Sequence, residues 1–144
     1  MTIEQQQEAI IAEFAPLTDW LDRYDYLISL GRRYSGMDDS LKIPSHAVPG
    51  CQSKVWIRAQ NRGGRLRLSA DSDSLIVRGI LSLIVRVCDD QPSADIQQEK
   101  MFFLERTGLA AHLSPARRDG LSAVIHYIRD SCSDIAEVNT DHRS

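Results

Sequence analysis

The sequence is poor in cysteine, with only three in 144 residues. Cys51, Cys88 and Cys132 are odd in number and none has a C-x-x-C spacing. A disulfide framework and a zinc ribbon therefore both fit poorly, and we expect reduced thiols. Because 42% of the residues are hydrophobic and 26% are charged, the chain can bury a core that folds without disulfides or a metal.

The sequence also lacks an excess of positive charge and any long apolar run. Lys and Arg number 17 against 20 Asp and Glu, a formal net charge of −3, which argues against nucleic acid as the main partner. The longest apolar stretch, Leu75 to Cys88, contains two arginines and is too short to span a bilayer. The acidic, polar start resembles neither a secretory signal nor a transit peptide. We expect a cytoplasmic protein with no membrane segment.

Apolar residues at three-to-four spacing predict several helices. The stretch from Leu75 to Val87 is apolar nearly all round, which favours a buried central helix; a strand pair broken at Gly79 is the rival interpretation. Asp71, Ser72, Asp73 and Ser74 are candidate caps for that helix. The predicted helices cover residues 3–14, 20–31, 75–87, 94–100 and 101–107, and a last one that Ser114 and Pro115 open.

Two segments alternate apolar and polar residues as half-buried strands do. They cover residues 54–60 and 65–70, and residues 61–64 join them as a hairpin turn. With the helices they predict an α+β fold, a small antiparallel sheet packed against several helices. We expect one domain over residues 1–138 and a flexible C-terminal tail over residues 139–144.

The predicted hairpin carries a run of basic residues on the face turned away from the core. The residues concerned are Lys54, Arg58, Arg65 and Arg67. Such a face could bind RNA. Because only Trp56 interleaves with it as an aromatic and the overall charge is negative, a solvated face or a protein-docking surface is favoured.

Residues 32–53 form a long, turn-rich loop, and a loop of that length in a compact domain is usually functional or mobile. At its end Cys51 follows Pro49 and Gly50, where packing offers little reason for a thiol. Cys88 and Cys132 instead lie on apolar helical stripes, where free cysteine behaves as a small hydrophobe. We therefore expect Cys51 to be the accessible thiol.

A working thiolate usually has cationic help nearby. His46 and Lys54 are the local candidates, although a solvent-facing imidazole explains His46 equally well. Metal binding by this loop through His46, Cys51 and the neighbouring aspartates matches no ligand pattern, so we predict no metal site. A Cys-His protease is also a weak fit, because the other histidines lie in helical regions or at the C-terminal end.

The segment Gly50-Cys51-Gln52-Ser53-Lys54-Val55-Trp56 resembles the Gly-Cys-x-Ser-x-Val-Trp segment around the acceptor cysteine of the SufE family. One departure is His46, where many members carry Asn. Supporting similarities run along nearly the whole chain in the order of that family: Trp20, Tyr24, Tyr26, Leu27, Ile28, Leu30, Gly31, Asp71, Ser72, Asp73, Ile76, Val77, Gly79, Leu113, Ser114, Pro115, Arg117 and Gly120.

The resemblance implies the α+β fold that this family shares with iron-sulfur scaffold proteins of the IscU type. It also implies a sulfur acceptor of iron-sulfur cluster assembly, in which Cys51 takes persulfide sulfur from a pyridoxal-phosphate cysteine desulfurase. The surrounding residues would support the loop and its thiolate: His46, Gly50, Gln52, Ser53 and Lys54. Arg117 and Asp73 would help to dock the partner or support the loop, although an ordinary surface ion pair would also explain Arg117.

By the same resemblance the chain is a partner and activator of a SufS-like desulfurase rather than an independent enzyme. Pyridoxal phosphate would belong to the desulfurase only, and a downstream iron-sulfur scaffold complex would receive the sulfur. A homodimer is compatible with the sequence. Two alternatives stay open: an iron-sulfur or zinc scaffold, which would need several convergent soft ligands, and an RNA-binding module that uses the basic face.

Overall fold

The computed structural model of the chain describes residues 1–50 and 53–143, and of residues 133–143 it describes the backbone alone. The described residues form six α-helices and a three-stranded antiparallel sheet of order β1-β2-β3, which confirms the predicted α+β class. The elements are α1 (Ile3–Phe14), α2 (Trp20–Arg33), β1 (Val55–Arg62), β2 (Arg65–Ser72), α3 (Leu75–Cys88), β3 (Gln91–Pro92), α4 (Ser93–Gln98), α5 (Phe103–Arg106) and α6 (Pro115–Arg143).

Side-chain caps explain where several helices begin. Thr2 and Gln5 form a capping box that opens α1, and the Asp19 carboxylate accepts a hydrogen bond from the Leu21 N–H at the start of α2. Of the four cap candidates before α3, Ser74 is the cap, since its hydroxyl accepts from the Val77 N–H. Asp71 and Ser72 were wrong as cap candidates, because β2 continues through them.

The hairpin turn is tighter than predicted. Asn61 and Arg62 belong to β1, and only Gly63 and Gly64 form the turn, with φ values of 64° and 82°. Two consecutive residues with positive φ match the twist of the flanking strands, which is why glycine stands at both positions. The Asn61 side chain accepts a hydrogen bond from the Gly64 N–H at 2.8 Å and closes the turn.

Helix α3 lies in the middle of the core and packs closely against α2. Gly79 and Gly31 make this approach possible, because a Cβ at Gly79 would collide with the Leu27 carbonyl oxygen and one at Gly31 with that of Leu75. Gly79 therefore lies inside a helix, and the rival interpretation of a broken strand pair was wrong. On its other side α3 packs against the inner face of β2.

Helix α6, the longest helix, packs against α4 and β1. The backbone of α6 is helical through Arg143. The boundary at residue 138 between the domain and a flexible tail stays a prediction. No described helix combines the length and the apolar character that a membrane crossing requires.

A buried carboxylate joins the sheet to the long loop. Asp71 is only 1% exposed and accepts hydrogen bonds from the Met37 and Ser72 N–H groups. Its charge is balanced by Arg78 at 2.5 Å and Lys42 at 3.3 Å. Burial alone would raise the pKa of Asp71, but these hydrogen bonds and cations outweigh it and hold that pKa below its usual range.

We predict that Asp71→Asn lowers the free energy of unfolding at pH 7 by about 3 kcal/mol, because Arg78 then keeps a buried charge without its partner. The depressed pKa means that this stabilisation is present above the unfolded pKa of about 3.9 and disappears as the pH falls through the folded value. Urea unfolding at pH 7 and at pH 3 measures both effects.

The matched control is Asp90→Asn, which removes an exposed ion pair with Arg65 and keeps the size of the side chain. It should cost less than about 1 kcal/mol. Equal losses for the two variants at pH 7 would contradict the role given to Asp71.

Candidate functional site

The candidate site is built around a loop that connects two paired segments. The Val48 N–H donates to the Val55 carbonyl at 2.9 Å, and Ala47 pairs with Trp56, so residues 49–54 form a short closed connection. Gly50 has a φ of 82°, a conformation that glycine adopts without strain. Cys51 and Gln52, the central residues of the predicted site, lie outside the described residues, between Gly50 and Ser53.

The loop is also attached at its C-terminal end. The Lys54 N–H donates to the Asp73 carboxylate at 3.1 Å, and the Asp73 N–H donates to the Lys54 carbonyl at 3.3 Å. Asp73 thus bonds to the third residue after Cys51 and fixes the start of β1 to the turn before α3. Of the two predicted roles of Asp73, partner docking or loop support, these contacts favour support.

His46 lies in a 3₁₀ turn, Pro44–His46, on the N-terminal side of the loop. Its Nδ1 atom is 2.6 Å from the Leu41 carbonyl oxygen, which requires the proton on Nδ1. The Tyr127 hydroxyl of α6 donates to the Ser45 carbonyl at 3.5 Å. Both contacts connect this turn to its surroundings, and the half-buried imidazole is held in one orientation.

A small cavity lies between the loop and the start of α6. Its free space is about 30 Å³, enough for a water-sized group. Arg117, half-buried in the first turns of α6, is one of its lining residues. The Nη1 atom of Arg117 is buried and has no hydrogen-bond partner among the described residues. The remaining lining residues are mostly apolar: Ser53, Val55, Val77, Ile80, Leu113, Gly120, Leu121 and Val124.

The structure therefore brings Ser53 and Arg117 to one cavity, and it places Lys54 and Asp73 in direct contact beside it. Arg117 lies more than 60 positions after the cysteine loop in the sequence, so no local pattern could predict that Arg117 and Ser53 share a cavity. Arg117 forms no ion pair with a described residue, and its Nη1 atom is buried. Among the described residues, nothing therefore supports the interpretation that Arg117 belongs to an ordinary surface ion pair.

The basic face of the hairpin is less basic than the sequence indicated. Arg65 and Arg67 form ion pairs with Asp89 and Asp90, which follow α3 and lie against β2. No local pattern predicts this neutralisation, because the aspartates are more than 20 residues away. Arg58 forms no ion pair with any residue that the structure describes.

In the described ranges, residues 1–50 and 53–132, no group of three His, Cys, Asp or Glu side chains is placed to hold a metal ion. Two of the three thiols lie in the core, as predicted: Cys88 is 1% exposed and Cys132 is fully buried. Burial raises the pKa of Cys88 to about 12 and also raises that of Cys132.

A family comparison identifies the chain. The family model of the Fe-S metabolism associated domain, SufE, matches residues 8–132. The chain belongs to the SufE family. The match covers the candidate site from His46 to Arg117, and SufE membership associates the chain with iron-sulfur metabolism.

A solved structure supports the fold independently of the family match. The solution structure of a hypothetical protein from Thermus thermophilus superposes with a TM-score of 0.74, covering 92% of this chain and 96% of that chain. At 17% sequence identity the similarity concerns the fold alone. This SufE chain therefore shares its fold with a protein of low sequence identity.

We predict that Cys88 and Cys132 of this SufE chain resist alkylation in the native state. At pH 8 a thiol with a pKa of about 12 is ionised in about one molecule in ten thousand, and burial also blocks the reagent. Iodoacetamide followed by peptide mass spectrometry should label Cys51 alone. All three thiols should react in urea, and native labelling of Cys88 would contradict the prediction.

Proposed function

We propose that the chain is a sulfur acceptor that takes persulfide sulfur from a cysteine desulfurase onto Cys51. In doing so it stimulates the desulfurase, and it passes the sulfur on for iron-sulfur cluster assembly. The observation that carries the proposal is the loop of residues 49–54, which is attached at both ends and lies next to a cavity lined by Arg117. The Nη1 atom of Arg117 has no hydrogen-bond partner among the described residues. The family's association with iron-sulfur metabolism supplies the chemical context.

The transfer is a thiolate exchange at sulfur. The Cys51 thiolate attacks the terminal sulfur of the donor's persulfide, a new sulfur–sulfur bond forms at Cys51, and the donor's sulfur–sulfur bond breaks. The donor cysteine leaves as a thiolate, so no external oxidant or reductant is needed. The rate depends on the thiolate fraction, on the basicity of the leaving thiolate and on access, as in thiol–disulfide exchange.

The Arg117 guanidinium favours an anionic sulfur at this site. An unpaired buried donor costs free energy until it meets an acceptor, and a positive charge close to a thiol lowers the pKa of that thiol. A thiolate or a persulfide anion on Cys51 would give the Arg117 nitrogen the partner that the described residues do not supply. Lys54 contributes a second positive charge on the same loop.

The other predicted residues support the loop. Gly50 supplies a backbone conformation with positive φ, His46 fixes the turn that precedes the loop, and Asp73 holds the segment that follows it. An Asn in place of His46 could donate a similar hydrogen bond to the Leu41 carbonyl, which fits the frequent Asn of the family. Gln52 and Ser53 follow the cysteine in the sequence, and Ser53 also lines the cavity.

Pyridoxal phosphate supplies carbon–sulfur bond cleavage in the donor enzyme, and the chain would meet only the resulting persulfide. The downstream acceptor in this proposal is an iron-sulfur scaffold complex. No observation favours the scaffold alternative for this chain itself, since a scaffold needs several convergent soft ligands.

The direct test mixes the chain with a SufS-like desulfurase and L-cysteine and then separates the protein for intact and peptide mass spectrometry. The wild-type chain should gain one sulfur atom on Cys51, and Cys51→Ser should gain none. Desulfurase turnover should rise with the wild-type chain only. Sulfur on Cys88 or Cys132, or stimulation by Cys51→Ser, would refute the proposal.

We predict that Arg117→Met slows sulfur transfer to Cys51 about threefold, because losing the positive charge raises the pKa of the thiol and the smaller thiolate fraction outweighs the greater nucleophilicity. The pH–rate profile should shift to higher pH. The free energy of unfolding should change by less than about 1 kcal/mol, because the variant removes an unpaired buried nitrogen and keeps apolar packing. Arg117→Lys is the control that retains the charge; an unshifted profile in Arg117→Met would contradict the assigned role.

A further inference from the structure

An open groove adjoins the same loop at the strand β1 end. Its lining includes Gly50 and Ser53, which flank the acceptor cysteine, together with Lys42, Pro44, Lys54 and Trp56. None of the described residues that line the groove is acidic. Any molecule bound there would contact the residues that precede and follow the Cys51–Gln52 pair in the sequence.

The groove and the strand that borders it carry positive charge without a partner. Lys42 is neutralised by Asp39 at 3.0 Å and Asp71 at 3.3 Å, and it rests 5.5 Å from the centre of the Trp56 ring. Lys54 is exposed, and neither it nor Arg58 forms an ion pair within the described part of the chain. Strand alternation puts Lys54, Trp56 and Arg58 on one face, with about 7 Å between successive members.

At the far end of the same face, Arg65 and Arg67 are paired with Asp89 and Asp90, and Arg62 forms no ion pair with a described residue. A nucleic-acid site would need several aromatic platforms along its track of cations, whereas this face has one tryptophan beside its three unpaired cations, Lys54, Arg58 and Arg62, among the described residues. That arrangement fits carboxylates and one apolar side chain, the composition of an acidic protein segment.

We propose that this groove binds an acidic segment of the persulfide-donating protein. The carboxylates of that segment pair with Lys54 and Arg58, and an apolar side chain packs against Trp56. The inference rests on the proposed function, since it specifies where the donor docks so that its persulfide reaches Cys51.

The test measures the affinity of the full-length chain for a SufS-like desulfurase in a Cys51→Ser background, where no sulfur is transferred. Adding Lys54→Glu and Arg58→Glu together should raise Kd at least tenfold at 50 mM salt. Raising the salt to 200 mM should weaken the parent variant several-fold and leave the charge-reversed variant nearly unchanged. Neither substituted side chain forms an ion pair with a described residue, so thermal unfolding should be unaltered.

The control is Arg32→Glu, which makes the same kind of charge change at an exposed position of α2 and should alter Kd less than twofold. Equal effects of the groove and control variants, or no effect of either, would overturn the docking proposal. So would tight binding of a labelled oligouridylate that Lys54→Glu and Arg58→Glu abolish. If the groove substitutions leave Kd unchanged but wild-type Cys51 still gains sulfur, the docking proposal alone is refuted. If the groove substitutions weaken the complex but wild-type Cys51 gains no sulfur, the proposed function alone is refuted.

Discussion

The hydrogen bonds that close the loop of residues 49–54 are the constraint on which the site depends. Val48 bonds to Val55 on one side, and Lys54 bonds to Asp73 on the other. Because β1 continues from this closure into the core, the loop is attached to the sheet and to the buried side chains of that strand. A reactive residue a few positions from such an attachment can meet a partner while its neighbours keep their positions.

A second layer of interactions holds that closure in place. Asp71 lies on the outer side of β2 opposite Trp56, and it fixes the preceding loop through Met37 and Lys42. Lys42 in turn covers Trp56, which lines the groove together with Gly50 and Ser53. One buried carboxylate therefore stabilises the sheet and also shapes the surface next to the site. Burying that charge is tolerable because four donors share it.

The sequence predicted the features that local signals determine. Helix α1 has the predicted bounds, and the apolar run after Ser74 is a helix. Strand β3 was missed because two residues carry no periodicity, and its pairing with β2 depends on the return of the chain after α3. For the same reason the sequence could name Arg117 but could not place it in the cavity beside Ser53.

The three thiols show how position creates chemical selectivity from one residue type. Cys88 and Cys132 are surrounded by apolar side chains of α3, α4 and α6, and burial raises the pKa of both. Raising the pKa keeps a thiol neutral and therefore a poor nucleophile. Arg117 differs from this core environment, because it lines a cavity together with Ser53 and its Nη1 atom has no hydrogen-bond partner among the described residues. A positive charge favours the opposite state of a nearby thiol, since it lowers the pKa of that thiol.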